Sequence, residues 1–383
     1  MKIGIKGVLL GAVAVTALSL GACGGNVAPA DDDAGPGAAP AADASSEIVE
    51  AGEAAAEEAG GAVDLPEKTI GFVYFGKNGI SSQRAYDGAK AAADRIGWKL
   101  EACDGQGIPV EQQRCATNLL NQNVDALFVN TIEASTLEDA ISQAEASDIP
   151  IVSFGGALET SEGYAAAYAP DEEAMGAALG DWLTQTLPDG GEVVAQTFPA
   201  VWATARVDGL EAGIDGTGIE VVDTFDANPT DLTAATQRQT SAALSSTPDV
   251  DALFMTFSTA ELGAAQALEQ QFGQGASYPD RPLLMTFYAN LPVIDMIREG
   301  SLDAAAENSI EWQGWVAVDQ MAEYFARDAE IDTAERPDYG DGLDFWRASV
   351  VTADNLPPEG QLLEPQVDFD GFFTAKWQAE FGI

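Results

Sequence analysis

KTIGFVYFGKNGISSQRAYDG, at residues 68–88, is the stretch that decides the fold. Its apolar run over residues 70–75 predicts a buried strand, and the glycines at positions 76 and 79 predict a turn after it. Ser81 and Ser82 follow, just before apolar residues that recur at helical spacing. In open α/β sheets ligands bind beyond the carboxyl ends of the strands, and the free N–H groups of a helix N-terminus suit polar ligands. We therefore predict that this loop forms one wall of a binding cleft.

The same alternation of strand and helix patterns continues along the chain. Continuous apolar runs at residues 126–130, 149–154, 252–257 and 283–287 are typical of strands buried on both faces of a parallel sheet. Helical patterns with short connections separate them, which favours a doubly wound α/β architecture. Because the chain is longer than a single hydrophobic core usually serves, we predict two such Rossmann-like lobes.

The N-terminal segment carries a targeting signal. Two lysines precede an apolar stretch at residues 8–20, and the following residues 20–23, LGAC, match the lipobox of bacterial lipoproteins. This match implies a signal peptide over residues 1–22 and a lipid anchor on Cys23. An ordinary signal peptide with an incidental cysteine is the alternative.

Residues 24–64 contain ten acidic residues and no lysine, arginine or aromatic residue. Such a composition buries too little apolar surface to offset the entropy lost on ordering. We therefore predict that residues 23–66 form a lipidated, acidic and disordered tether, kept extended by its like charges.

The whole chain is strongly acidic, with 62 Asp and Glu against 17 Lys and Arg and a formal net charge of −45. Binding to nucleic acid needs clustered cations, so we expect no nucleic-acid partner. A saline or alkaline habitat and a generally acidic secreted proteome both account for the charge. The first explanation predicts that thermal stability rises between low and molar salt, because salt relieves the self-repulsion of an acidic surface.

Two cysteines remain besides Cys23. In an oxidising compartment Cys103 and Cys115 are expected to form a disulfide that ties the end of a strand to the next helix. Two separate buried thiols are the alternative.

Catalysis is poorly supported by the sequence. The chain has no histidine, which removes Ser-His-Asp and Cys-His nucleophiles and the usual zinc ligand. A near match to a phosphate-binding loop at residues 71–78 fails because its four intervening residues belong to the strand and Asn78 replaces the hydroxyl. Carboxylate pairs are inevitable among so many acids. We predict a protein that is not an enzyme and needs no cofactor or metal.

Several motifs, in order and spacing, resemble the type I periplasmic binding proteins of sugar ABC transporters. They include the opening stretch, VDALFVNTIEAST, DIPIVSFGG, YAPDEEAMGAALGDWL and ARVDGL. The resemblance implies two lobes joined by a three-strand hinge. Residues 67–169 with about 309–345 would form the N-terminal lobe, and residues 170–308 with about 346–383 the C-terminal lobe.

The function implied by the resemblance is capture of a small sugar or polyol and its delivery to an ABC transporter permease. The protein would act as a monomer outside the cytoplasm, lipid-anchored to the outer face of the cell membrane. Alternatives are a receptor of the same fold for a nucleoside, aromatic or carboxylated ligand, a ligand sensor without transport, and a carboxylate-based glycosidase.

The resemblance also places ligand contacts on particular positions. They are Tyr74, Phe75, Asn78, Ser81, Ser82, Phe154, Gly155, Gly156, Trp202, Arg206, Phe257, Ser258, Tyr288 and Asn308. Many family members carry an Asp-Arg pair in place of the two glycines and an Asp in place of the tyrosine at 288, so the ligand class stays open. Phe75, Phe154 and Phe257 end apolar strands, and such aromatic residues are more often core residues than ligand contacts. The arginine could instead form a surface ion pair with Asp208 or Glu211, and Asn308 could be a turn residue.

Overall fold

The computed structural model describes residues 45–228, 231–340 and 342–383. The described part begins with helix α1 (Ser46–Glu58). The first α/β series then comprises β1 (Thr69–Tyr74), α2 (Ile80–Arg95), β2 (Lys99–Asp104), α3 (Pro109–Asn121), β3 (Ala126–Asn130), α4 (Glu138–Glu145), β4 (Ile151–Phe154) and β5 (Ala166–Tyr168). The 3-10 turn Ala134–Thr136 precedes α4.

The second series shows the same alternation of helices and strands. It comprises α5 (Glu172–Thr186), β6 (Gly191–Thr197), α6 (Val201–Ile214), β7 (Ile219–Asp226), α7 (Leu232–Ser246), β8 (Ala252–Phe254), α8 (Ala260–Phe272), β9 (Leu283–Phe287), α9 (Leu291–Glu299) and β10 (Ala304–Glu307). The chain ends with α10 (Trp312–Arg327), β11 (Ser349–Thr352) and α11 (Phe369–Phe381).

Two separate sheets form the centres of two lobes. The first has five parallel strands in the order β2-β1-β3-β4-β5, and the second has six in the order β11-β10-β9-β8-β6-β7. In the second sheet only the pairing of β10 with β11 is antiparallel. The predicted α/β class with two doubly wound parallel-sheet lobes is confirmed.

The hinge consists of chain crossings between the two sheets. The chain passes across between β5 and α5, returns between β10 and α10, crosses again between α10 and β11, and returns a last time between β11 and α11. Helix α10 packs on α2, so it covers the first sheet although the strands beside it in sequence belong to the second. Each lobe is therefore built from segments that are not continuous in sequence.

Local signals place the helix ends. Pro109 opens α3, where a missing N–H costs nothing. The Asp171 side chain caps α5 by accepting a hydrogen bond from the Ala174 N–H at 2.9 Å. Strand β5 was not predicted, because three residues are too short to show a periodic pattern.

The prediction of a disordered tether is wrong from Ser46 onward. Residues Ser46–Glu58 form α1, with Ser45 as its N-cap and with Gly52 and Ala56 buried. This helix packs against α11. A short run of small residues thus finds its apolar partner in a helix more than three hundred positions away in sequence, which local composition could not show. The predicted signal peptide, Cys23 and the first part of the tether lie outside the described residues.

The last helix differs from the predicted lobe assignment. Strand β11 joins the second sheet, but α11 packs on α10 beside the first sheet. Trp377 of α11 stacks on Trp315 of α10, with ring centroids 5.3 Å apart. Residues 353–368 therefore cross back, and the final helix belongs with the N-terminal lobe.

Cys103 at the end of β2 and Cys115 in α3 form a disulfide with their Cα atoms 5.5 Å apart. Within the part of the chain that the structure describes, no helix combines the length and apolar character that crossing a membrane requires.

Candidate functional site

A cavity of about 810 Å³ lies between the two sheets. It is lined by residues that directly follow β1, β4, β6 and β9 and by the first turns of α2, α5 and α6. Carboxyl ends of parallel strands and amino ends of helices converge there, as they do at ligand sites of doubly wound sheets.

One wall of the cavity is aromatic. Phe198, Trp202 and Phe257 contact one another, with the tryptophan ring centroid 5.1 Å from that of Phe257 and 5.8 Å from that of Phe198. Phe75 approaches from the other lobe and is 43% exposed. Flat apolar rings of this kind accept the apolar face of a ring-shaped ligand.

Arg206 lies behind this wall and is only 4% exposed. Its Nε donates to Glu172 Oε2 at 2.7 Å, and its Nη2 donates to the Tyr288 hydroxyl at 3.1 Å. Its Nη1 donates to the carbonyl of Thr256 at 2.5 Å, and the guanidinium lies 4.8 Å from the centre of the Trp202 ring. Each of the three guanidinium nitrogens of Arg206 therefore donates to a protein group, which fixes the side chain.

Glu172 is the counterion of Arg206 and is 3% exposed. Burial raises the pKa of Glu172, while the neighbouring guanidinium acts in the opposite direction. The two residues meet because α5 and α6 pack unusually closely. A Cβ atom at Gly176 would lie 2.1 Å from the Arg206 carbonyl oxygen, and one at Gly209 would lie 2.0 Å from the Glu173 carbonyl oxygen.

The loop after β4 adds backbone and amide groups. Gly155 has a φ of +119°, and a Cβ atom there would lie 2.2 Å from Asn130 Nδ2, so only glycine fits. Its N–H donates to Gln313 Oε1 at 2.7 Å. Asn130 donates to the carbonyl of Phe154 at 3.1 Å. Gly155 thus lets an asparagine side chain reach the cavity wall.

A buried ion-pair network braces the cavity from the hinge side. Arg84 of α2 donates to both oxygens of Glu307, at 2.9 and 3.2 Å, and to both oxygens of Glu311, at 2.6 and 2.9 Å. Burial would raise the pKa of Glu311, but the Arg84 charge holds it below its usual value. Glu307 Oε2 also accepts the Ala289 N–H at 2.6 Å, directly after Tyr288, whose φ is +63°. The network therefore holds a strained cavity residue in place.

Ten of the fourteen predicted contacts line the cavity. They are Phe75, Ser81, Ser82, Gly155, Gly156, Trp202, Arg206, Phe257, Ser258 and Tyr288. The structure thus brings together residues that follow the four strands β1, β4, β8 and β9 with residues on α2 and α6. Their contact with a ligand stays a prediction.

Tyr74 and Phe154 do not line the cavity. Tyr74 is 2% exposed and packs edge-on against Phe72, with ring centroids 4.9 Å apart, and Phe154 packs against Phe128 at 5.5 Å. Each is the last residue of its strand, and successive side chains point to opposite faces. The residue that follows each strand reaches the cavity instead.

Asn78 and Asn308 also lie away from the cavity. The Gly79 N–H donates to the Gly76 carbonyl at 3.0 Å, which closes a turn with Asn78 exposed at its tip. Asn308 is buried and binds the Trp346 carbonyl and the Trp312 indole N–H, the latter at 2.8 Å. It is a hinge residue and not a surface turn.

Several lining residues were missed by sequence reasoning, among them Asn130, Thr131, Glu133, Glu159, Glu172, Glu173, Phe198, Asp208 and Ile310. Asn130 ends a predicted strand and could have been found by the same rule that placed the cleft. Nothing in the run Asp171-Glu172-Glu173 indicates which carboxylate is buried, since that choice depends on the packing of α6.

A group of carboxylates outside the cavity has the spacing of a metal site. Asp319, Glu323 and Glu380 bring ligand atoms within 4.8 Å of one another. The Lys376 ammonium already binds all three, at 2.8, 2.7 and 3.0 Å. A protein cation thus already occupies the place between these carboxylates and ties α10 to α11.

A family model described as a periplasmic binding protein domain matches residues 70–328. The ribose import binding protein RbsB of Escherichia coli K12 is 22% identical over 186 residues, which covers 48% of this chain and 62% of that protein. RbsB of Haemophilus influenzae is 27% identical over 187 residues, with the same coverage of 48% and 62%. The chain thus spans somewhat less than two thirds of the length of these curated relatives.

Solved structures share the fold. A solute binding protein of an ABC transporter from Mycobacterium smegmatis, with bound glycerol, gives a TM-score of 0.63 at 23% identity, covering 76% of this chain and 96% of that one. One from Bacillus halodurans, with bound myo-inositol, gives 0.63 at 20% identity, covering 76% and 97%. At this level of identity the likeness establishes the two-lobed architecture.

Proposed function

The chain belongs to the periplasmic binding protein domain family, and from that premise we propose that it captures a small sugar or polyol between its lobes and delivers it to an ABC importer. The observation that carries the proposal is the cavity itself. An aromatic wall of Phe198, Trp202 and Phe257 lines the same cavity as buried polar groups on Asn130 and Glu172. Sugars present the same combination of an apolar ring face and hydroxyl groups.

Binding on this proposal makes and breaks no covalent bond. Closure of the lobes would exclude water and strengthen the polar contacts, and the closed shape would be recognised by the permease. The relatives are named as import binding proteins, which supports a transport role and not an enzymatic one. The absence of histidine from the whole sequence agrees with a non-catalytic site.

The proposed location is the outer face of the cell membrane. The lipobox motif at residues 20–23 supports a diacylglyceryl anchor on Cys23 after removal of residues 1–22. Residues 23–45 would then tether the folded part, which we propose works as a monomer. No nucleic acid is expected to bind a chain with a net charge of −45.

A thermal-shift screen tests the proposal. Neutral monosaccharides, amino sugars and cyclic polyols, each at a millimolar concentration, should raise the melting temperature for at least one compound, since a ligand that binds only the folded state stabilises it. The Trp202→Ala variant should lose that shift. No shift from any sugar or polyol would contradict the proposal.

A nucleoside receptor of the same fold is the second candidate. The aromatic wall and Tyr288, which stands where many family members carry a carboxylate, would suit a flat heteroaromatic base. Adding nucleosides to the same screen separates the two, because a shift from nucleosides without one from sugars would favour this candidate.

A further inference from the structure

The cavity is lined by an excess of negative charge. Five carboxylates line it, those of Glu133, Glu159, Glu172, Glu173 and Asp208, and Arg206 is the lone lining cation among the described residues. This arginine is already paired with a carboxylate at 2.7 Å. The pair is close to neutral, and the remaining four carboxylates leave the cavity negative.

The cavity also contains a buried hydrogen-bond acceptor that no group of the described residues satisfies. Glu172 Oε1 has no hydrogen-bond partner within the described part of the chain, although the residue is 3% exposed. It lies on the cavity side, where a Cβ atom at Gly156 would be 3.8 Å away. Asn130 Oδ1 is also buried without a partner and belongs to the same lining. Buried polar atoms need partners, so these two acceptors are placed to accept hydrogen bonds from donors on a ligand.

The acidic rim alone would argue little, because the whole chain is acidic. The buried Glu172 Oε1 is different, since it is an unpartnered acceptor at a buried position, where hydrogen bonds and electrostatic interactions are stronger than in water. The aromatic wall adds to the same preference. Trp202, Phe198 and Phe257 present π faces, which attract cations as well as apolar ring faces.

We propose that the preferred ligand is a hydroxylated primary amine, for which an amino sugar is the simplest chemistry. Its ammonium group donates to Glu172 Oε1, and a hydroxyl group donates to Asn130 Oδ1. The four outer carboxylates attract the cation and repel anions such as uronic acids. This inference rests on the proposed function and narrows its ligand class.

Isothermal titration calorimetry of the full chain with matched sugar trios tests it. Galactose, galactosamine and galacturonate form one trio, and the glucose and mannose series form two more. The amino sugar should bind at least about tenfold more tightly than its neutral parent, because a charge-assisted hydrogen bond is roughly twice as strong as a neutral one. The uronate should bind most weakly. Raising the salt concentration from about 0.05 to about 0.5 M should lower the ratio of amino-sugar affinity to neutral-sugar affinity, because salt screens the attraction between the ammonium group and the carboxylates.

The outcomes separate the two claims. If neutral sugars bind and no amino sugar binds more tightly than its neutral parent, the inference is overturned and the proposed function stands. If no member of any trio binds, the inference falls, and the thermal-shift screen, which also covers polyols, decides the proposed function separately.

Two charge-removing variants test which carboxylates cause the preference for an amino sugar over its neutral parent. Glu172→Gln should reduce the ratio of amine to neutral affinity to near unity, with the folded state checked by its melting temperature because this residue also supports Arg206. The double variant Glu173→Gln, Asp208→Asn should reduce the ratio by a few fold. The matched double variant Asp295→Asn, Glu299→Gln on α9, outside the cavity lining, should leave the ratio unchanged. An unchanged ratio in Glu172→Gln would overturn the assignment of the ammonium site.

Discussion

Glu261, in the first turn of α8, is a carboxylic acid almost fully enclosed by protein. It is 2% exposed, and its side chain accepts a hydrogen bond from the Thr286 hydroxyl at 3.1 Å. Burial raises its pKa from 4.5 to about 7, although hydrogen bonds to the carboxylate act in the opposite direction. The folded protein therefore holds this proton over a range of pH in which the unfolded chain has released it.

The sign of the effect on stability follows from that difference. Between pH 4.5 and about 7 the folded state binds more protons than the unfolded state, so this residue makes the free energy of unfolding fall as pH rises. The change amounts to about 3 kcal/mol when complete. Glu261→Gln removes it, and the variant should gain about that much stability relative to the wild type between pH 4.5 and pH 8.

Urea unfolding of both proteins across this pH range measures the difference. Glu269→Gln, an exposed change on the same helix, is the control and should follow the wild type. A difference between Glu261→Gln and the wild type that does not vary with pH would contradict the raised pKa.

The success of residue-level prediction depended on the geometry of strand ends. Phe75 and Gly155, which come directly after their strands, line the cavity, whereas Tyr74 and Phe154 point into the core. The sequence shows that an aromatic residue lies near the end of a strand, but it does not locate that end to within one residue. A shift of one residue moves the side chain to the opposite face of the sheet. The partner of Arg206 could not be predicted either, because Glu172 reaches it only through the packing of α5 on α6.

At the scale of elements, the Arg84 network joins α2, the end of β10 and the start of α10. Breaking a buried ion pair leaves an uncompensated charge. Glu307→Gln should therefore lower the free energy of unfolding by about 2 kcal/mol, since Glu311 still pairs with the arginine. It should also weaken ligand binding severalfold, because Glu307 fixes the backbone beside Tyr288.

Denaturant unfolding and calorimetry check both effects. Glu111→Gln, which breaks the exposed ion pair with Arg114, is the control and should cost below about 1 kcal/mol with no change in affinity. Equal effects from the two substitutions would show that the buried network does not brace the site.

The docking of α1 on α11 depends on a close approach at Gly52. A Cβ atom there would lie 2.4 Å from the Phe372 carbonyl oxygen and 2.9 Å from the Ala375 Cβ. Gly52→Ala should therefore displace α1, even though alanine favours a helix. Hydrogen–deuterium exchange should become faster throughout α1 in this variant and stay slow in Glu53→Ala, whose side chain is exposed. Protected α1 amides in Gly52→Ala would contradict the docking.

Elements were predictable where their patterns were long, and unpredictable where packing alone decided them. The buried strands and amphipathic helices of both lobes follow from apolar periodicity. Helix α1 and the position of α11 do not, because each depends on a partner that is distant in sequence.

At the scale of the whole molecule, two sheets present the carboxyl ends of their strands to one cavity. The alternating pattern and the order of the motifs were sufficient to predict this architecture, and the comparison with known proteins confirms the family. They were not sufficient to predict the charge of the cavity, since 62 acidic residues leave the choice of the buried ones to tertiary packing. The ligand class therefore has to be argued from the folded site.

Native mass spectrometry of the full chain, incubated with the neutral and amino sugars, tests most directly whether the cavity captures one small hydroxylated molecule. The wild type should form a complex of one ligand per chain with at least one sugar, and Trp202→Ala, which removes the central ring of the aromatic wall, should lose most of it. No complex with any sugar, or an undiminished complex in Trp202→Ala, would contradict the account.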